Sequence, residues 1–136
     1  MTFRLALKVE GPNPLYWESI DLLIGQADIP AKPEWSFTPQ AEVVQTLAGG
    51  SFPRGFASAA WHWNILNAEQ RAILKEFCPA SSAEVYIETA TNEIDFYGDI
   101  VFIQALAIMH WPRADEDLQI NKVLGLDLLF THLEEV

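Results

Sequence analysis

The chain has 136 residues, half of them hydrophobic, and carries 19 acidic against 8 basic residues, for a formal net charge of −11. This length and hydrophobic content fit a single domain, 1–136, and exclude a wholly disordered chain. The eight bases are scattered singly and form no basic patch, which argues against specific binding to nucleic-acid phosphates or anionic lipid.

The N-terminal third begins with an alternating stretch, 3–9, whose period of two predicts a half-buried strand. Its apolar face consists of Phe3, Leu5, Leu7 and Val9, and its other face of Arg4, Ala6 and Lys8. A second apolar piece, 15–24, is interpreted as strand or irregular structure. Three prolines follow, Pro30, Pro33 and Pro39. Because proline blocks both a helix and a central strand, 27–40 is predicted to be a proline-rich loop or arm.

The middle of the chain returns to a strand pattern at 42–47. Gly49 and Gly50 then act as a hinge before a long candidate strand, 56–66. In that strand three large apolar residues are expected to share one face, namely Trp61, Trp63 and Ile65.

One short helix is predicted at about 67–78. Asn67 is expected to be its N-cap, and Gln70 is placed to reach back in a capping box. A helix of this length is not stable alone, so its apolar stripe must dock on the sheet. The residues of that stripe are Ile73, Leu74 and Phe77, and Pro79 follows the helix.

The C-terminal half is predicted to be strands. Residues 84–89 alternate, 91–93 resemble a turn, and 94–111 form the second arm of a hairpin. That arm is apolar on both faces, so it is expected to be central to a two-layer fold or buried against another subunit. A last strand, about 119–133, turns its apolar residues inward: Ile120, Leu124, Leu126, Leu128 and Phe130.

Acidic residues are the first candidates for a functional surface, because no lysine or arginine occurs between Lys75 and Arg113. The candidate lumen or surface acids are Glu84, Glu88, Glu93, Asp95 and Asp99. A catalytic carboxylate pair is disfavoured, since such alternation is typical of the wet face of an antiparallel sheet.

Large aromatic residues form the second set of candidates. They are expected to lie in the core or at an interface: Trp61, Trp63, Phe102 and Trp111. Tryptophans exposed together on one face would instead suit stacking on sugar rings.

No residue pattern indicates catalysis, a metal or a cofactor. His62, His110 and His132 fall in three different elements without metal-ligand spacing, and Cys78 is placed at a helix C-terminus, where a thiolate is not favoured. The longest apolar run, 100–109, has about half of the length that a membrane-spanning helix needs. The chain is therefore not expected to be an enzyme or a membrane protein.

From about residue 37 onward, the order of motifs carries a family resemblance. The motifs are Phe52-Pro53-Arg54-Gly55-Phe56, Trp61-x-Trp63, Leu66-Asn67-Ala68-Glu69-Gln70 with Leu74 and Phe77, Val85-Tyr86-Ile87-Glu88-Thr89, Tyr97, and Trp111-Pro112. This order resembles small tail proteins of long-tailed bacteriophages, which share the tail-tube fold with the N-terminal domain of distal tail proteins.

The resemblance implies a mainly β fold, a two-layer antiparallel β-sandwich with one short flanking helix. It also implies a virion protein, made in the host cytoplasm, whose copies form a ring, often a hexamer, in the tail tube or its distal end and baseplate. Its partners would be itself, other tail proteins, and DNA that passes without specific binding. An acidic channel would repel DNA phosphates and so let the DNA slide.

Two functional hypotheses therefore stand. The first is a structural virion protein of a phage tail, which associates through apolar strands. The second is a monomeric carbohydrate-binding β-sandwich that uses Trp61, Trp63 or Trp111 as stacking platforms. Exposure of these tryptophans distinguishes the two.

Overall fold

The computed structural model describes residues 3–8, 19–22, 30–39, 42–45, 51–54, 56–112, 117–119 and 122–136. It describes the backbone alone for residues 42–45, 51–54, 117–119 and 122–124. The elements are β1 Phe3–Leu7, β2 Ile20–Leu22, β3 Glu34–Thr38, β4 Glu42–Gln45, β5 Ser51–Arg54, β6 Ala57–Asn67, α1 Ala68–Phe77, β7 Ser82–Ile94, β8 Ile100–His110, β9 Asp117–Gln119 and β10 Lys122–Glu135.

Eight strands form one antiparallel sheet in the order β2-β1-β7-β8-β10-β6-β3, with β9 paired to β10. Strands β4 and β5 form a separate two-stranded hairpin. The long sheet folds over on itself, because the Phe3 ring of β1 lies 5.6 Å from the Trp61 ring of β6, although these strands are not neighbours. The mainly β, sandwich-like fold class with a single short helix is confirmed in the described chain.

The helix forms where the sequence predicts it, for the predicted reason. The backbone N–H of Gln70 donates to Asn67 Oδ1 at 2.8 Å, and the backbone N–H of Asn67 donates to Gln70 Oε1 at 3.1 Å. These bonds satisfy two of the donors that a helix start leaves unpaired. Leu74 and Phe77 are buried, and Ile73 packs against the core beside them.

The proline-rich segment differs from the prediction of a loop or arm. Its residues 34–38 form strand β3, which pairs with β6 through Trp35 opposite Trp61. Proline is compatible with this position because β3 is an edge strand and Pro33 precedes it. The indole N–H of Trp63 donates to the Ala31 carbonyl at 2.7 Å, so the segment is tied to the core.

The predicted turn at 91–93 is wrong. Strand β7 continues to Ile94 and instead has an irregular register between Ala90 and Ile94, where it holds extra residues relative to β8. Polar residues favour a turn, but extra residues can also be accommodated as an irregularity within a strand that stays paired. The chain reverses at 95–98, where Gly98 has φ +85°.

Three strands bury different residues from those that alternation predicts. In β1, Ala6 is buried and Leu7, the last residue, is half-exposed. In β6, Ile65 is exposed and Leu66 is buried, opposite the stretch of β10 that contains Gly125 at φ +73°. Strand β8 is central but buries one face alone, through Ala105, Ala107 and Met109.

The last strand keeps its apolar face inward, with Leu126, Leu128 and Phe130 fully buried. A register shift after Phe130 includes His132 at φ +54°, and it returns Leu133 to the core. Residues 117–119, which overlap the start of the predicted strand, belong to β9. The predictions for Val9, Gly49, Gly50 and Ile120, and for the Leu124 side chain, lie outside the described residues.

Candidate interaction surfaces

Among the residues that the structure describes, the most exposed large apolar side chains lie at the hairpin tip, residues 93–100, where β7 turns into β8. Relative exposure is 97% for Phe96, 85% for Tyr97 and 69% for Ile94. The Phe96 and Tyr97 rings meet edge to face, 5.6 Å apart. Large apolar side chains grouped at one exposed place mark an interaction site more often than scattered ones do.

Asp95 organises the backbone of the hairpin tip. Its Oδ1 accepts from the backbone N–H groups of Tyr97 at 2.9 Å and Asp99 at 3.0 Å. Its backbone carbonyl accepts from the N–H of Gly98 at 3.1 Å, and its own N–H donates to the Asp99 carbonyl at 2.8 Å. These four bonds fix a tight reversal, in which Gly98 takes the left-handed conformation that glycine adopts without strain.

The hairpin tip extends beyond the strands that flank its base. Strand β1 pairs with β7 at 85–88, and β10 pairs with β8 at 105–110. Further out, the Asn92 amide donates to the Phe37 carbonyl of β3, and the Thr91 hydroxyl donates to the Val101 carbonyl at 2.8 Å. The base is thus braced, whereas the side chains of 93–100 are all exposed.

A second apolar surface, the outer face, lies on the outward side of the sheet. It contains Phe56 and Leu129, which are 49% and 46% exposed, and the half-buried Leu106 and Ile108 of β8. A cavity of about 210 Å³ opens there, lined partly by Phe56, Leu106, Ile108, His132, Glu84 and Glu134. The apolar second face of β8 that the sequence indicates is therefore this surface.

The five candidate acids are not equivalent. Glu93, Asp95 and Asp99 are exposed at the hairpin tip, and Glu84 is exposed and paired with Lys8. Glu88, predicted among the lumen or surface acids, is buried at 2% exposure. Arg4 Nε lies 3.5 Å from Glu88 Oε2, which makes the burial of this carboxylate tolerable. Burial nonetheless raises the pKa of Glu88, and Arg4 offsets part of this effect.

The candidate aromatics lie in or against the core. Trp61, Trp63 and Trp111 are 0%, 5% and 8% exposed, and Phe102 packs against Phe3 at 5.2 Å. Lys75 Nζ lies 4.6 Å from the Trp111 ring centroid. With their ring faces covered, these three tryptophans cannot serve as stacking platforms for sugars.

The histidines and the cysteine are engaged in separate contacts. His62 lies between Asp127 Oδ1 and Asn64 Oδ1, whereas His110 contacts the Thr131 hydroxyl at 2.8 Å. The hydrogen bond to Asn64 and the Asp127 carboxylate raise the pKa of His62. Burial raises the pKa of the Cys78 thiol, which disfavours a reactive thiolate.

Within the described residues, no three side chains of the metal-ligating types converge on a cation site. The same part of the chain contains no helix that is long and apolar enough to cross a membrane.

Sequence reasoning singled out the acids of the hairpin tip but missed Phe96. The sequence does indicate a turn with exposed aromatic residues there, because residues 95–99 are an aspartate, two aromatic residues, a glycine and an aspartate. This order combines a side-chain cap with a glycine that permits positive φ.

Comparison with known proteins identified no related family: no family model, no curated protein and no solved structure matches the chain.

Proposed function

We propose that the chain is a structural subunit of a bacteriophage tail, which forms a ring in the tail tube or at its distal end. The observation that carries the proposal is the exposed apolar outer face, on a domain that has a separate buried core. A solitary protein rarely leaves large contiguous apolar areas in water, whereas a subunit buries them against its neighbours.

The resemblance in motif order gives the class of assembly. In a ring-forming subunit, a strand with two apolar faces can serve the domain core with one face and a neighbouring copy with the other. Strand β8 has this character: Ala107 is buried inside, while Leu106 and Ile108 are half-exposed outside.

Charge supports the passage of a polyanion. Residues 76–112 contain no lysine or arginine, and the chain as a whole has a formal net charge of −11. Carboxylates on a channel wall repel phosphates and prevent DNA from adhering.

The proposal is tested by assembly state. Purified protein should form rings or tubes in negative-stain electron microscopy and sediment as a large species. Leu129→Lys places a charge on the outer face and should reduce assembly to monomers. Ser81→Lys adds the same charge at an exposed polar position between α1 and β7, and should leave assembly intact. A wild-type chain that stays monomeric at high concentration would contradict the proposal.

A further inference from the structure

We propose that the hairpin tip inserts its two aromatic rings into an apolar pocket with a lysine- or arginine-rich rim on a different protein chain. This inference goes beyond ring formation and does not depend on it, because the hairpin tip and the outer face are separate surfaces.

The shape of the hairpin tip suits insertion. Phe96 and Tyr97 are the most exposed of the large apolar side chains that the structure describes, and they lie at the end of a hairpin whose base is braced by Asn92. Asp95 holds the turn with both its side chain and its backbone. A loop that is already ordered loses little conformational entropy on binding. More of the free energy of its apolar contacts therefore contributes to the affinity.

The chemistry of the hairpin tip suits an anchor. Aromatic residues supply large contact areas with few rotatable bonds, and they dominate the energetics of protein interfaces. The edge-to-face contact of Phe96 with Tyr97 makes the two rings one compact unit. Its complement is a pocket of similar size lined by apolar side chains.

Charge defines the rim of that pocket. Glu93 and Asp99 flank the rings and are exposed, and the nearest bases in sequence are Lys75 and Arg113. A partner surface with acids at the rim would be repelled, whereas lysine or arginine there would pair with these carboxylates. Anionic membranes are disfavoured by the same repulsion.

A second copy of this chain does not offer such a rim in the described residues. Arg4 and Lys8 are paired with acids, and Lys32, Arg71 and Lys75 lie against aromatic rings. The cavity of the outer face has an acidic border, Glu84 and Glu134. The described bases thus favour another protein over a second copy as the partner, and sedimentation of the double variant tests that choice.

A displayed library of random dodecapeptides tests the proposal directly. Selection would use the full chain, with counter-selection against the double variant Phe96→Ser/Tyr97→Ser. We expect enriched peptides that combine lysine or arginine with leucine or phenylalanine. A synthetic copy of an enriched peptide should bind the double variant at least about tenfold more weakly than the wild type.

Two further variants separate apolar from charged contributions. Ile65→Ser removes an apolar side chain that is 58% exposed outside the hairpin tip and should leave peptide binding unchanged. Glu93→Gln/Asp99→Asn should weaken binding several-fold and reduce its dependence on salt. Retained far-ultraviolet circular dichroism would show that each variant is folded.

Several results would overturn the proposal. They are enriched peptides without bases, binding that the double variant retains, self-association in sedimentation that Phe96→Ser/Tyr97→Ser abolishes, and binding to phosphatidylcholine vesicles that requires the same two residues. Ring formation is measured independently through Leu129→Lys, so failure of one proposal is distinguishable from failure of the other.

Discussion

The indole N–H of Trp61 donates a hydrogen bond to Oγ1 of Thr89 over 2.9 Å, and neither residue is exposed to solvent. The bond joins β6 to β7, which are not neighbours in the sheet. It therefore connects the two layers by a polar contact within an apolar core, where a donor without a partner is costly.

Replacing Thr89 with valine should destabilise the fold by about 1–3 kcal/mol, because the indole N–H would lose its acceptor while the side-chain shape is kept. Urea unfolding monitored by tryptophan fluorescence measures the change. Thr38→Val, at an exposed position of β3, is the matched control and should change the free energy of unfolding by less than about 0.5 kcal/mol. Equal stability of the two variants would contradict the assigned role of the bond.

The free energy of unfolding of Glu88→Gln, relative to that of the wild type, should increase as pH rises. Burial raises the pKa of Glu88 above its usual 4.5, so the folded state holds this proton more tightly than the unfolded state. The resulting stabilisation is complete below the unfolded pKa and is lost as pH rises through the folded pKa. The Gln variant has no carboxyl group at position 88 and so does not lose this stabilisation as pH rises. Arg4 keeps an acidic partner in the variant, because Asp21 Oδ1 lies 3.2 Å from Arg4 Nε. Urea titrations between about pH 4 and pH 7 test the trend, and a difference that is constant with pH would refute it.

Protonated His62 should stabilise the fold. Its two ring nitrogens face Asp127 Oδ1 and Asn64 Oδ1, and the imidazolium alone can donate to both. The pKa is raised, so this stabilisation is complete below the unfolded value near 6.5 and is lost as pH rises through the folded pKa.

His62→Gln should remove that component of the pH dependence. Nuclear magnetic resonance titration of the ring protons gives the pKa of His62 itself, and unfolding experiments at several pH values give the stability. A pKa at or below the usual value would show that these contacts do not favour the charged ring.

Gly98→Ala should destabilise the hairpin tip by roughly 1–2 kcal/mol, because an alanine at φ +85° adopts the left-handed conformation that a Cβ disfavours. No atom lies within 4 Å of the added Cβ, so the cost is conformational rather than steric contact with neighbours. Gly98→Asn should lose less, since asparagine tolerates this region. Hydrogen exchange of the Asp99 amide reports the local opening, and unchanged exchange in the alanine variant would disprove the assignment.

The parts of the fold that depend on neighbouring residues were predictable, and those that depend on distant ones were not. Asn67 and Gln70 define the helix start within four residues, so the sequence suffices there. The burial of Glu88 depends on Arg4, far away in the chain, and no local pattern announces it. Similarly, β3 is a strand because β6 supplies its hydrogen-bond partners. The prolines on either side of β3 predict a loop instead, so the local sequence does not indicate this strand.

The candidate site divides in the same way. The acidity of residues 84–99 could be read directly from the sequence, but its location at a projecting turn could not. The reversal is placed by Asp95 and Gly98, whereas the polar run that begins at Thr91 produces an irregular register within a continuing strand. The segments at 91–93 and 95–99 are both rich in polar residues. The pairing of β7 with β8 determines which of the two segments reverses the chain.

Strand β10 lies between β8 and β6, although it is the last of the three to be made. As the nascent chain leaves the ribosome, β6 and β8 are therefore present before β10, the strand that lies between them in the sheet. The core cannot close until β10 emerges, so folding must follow synthesis of this strand rather than proceed alongside it. Chaperones would meet a partly assembled sheet for that interval, and a premature stop codon before β10 would leave it permanently open.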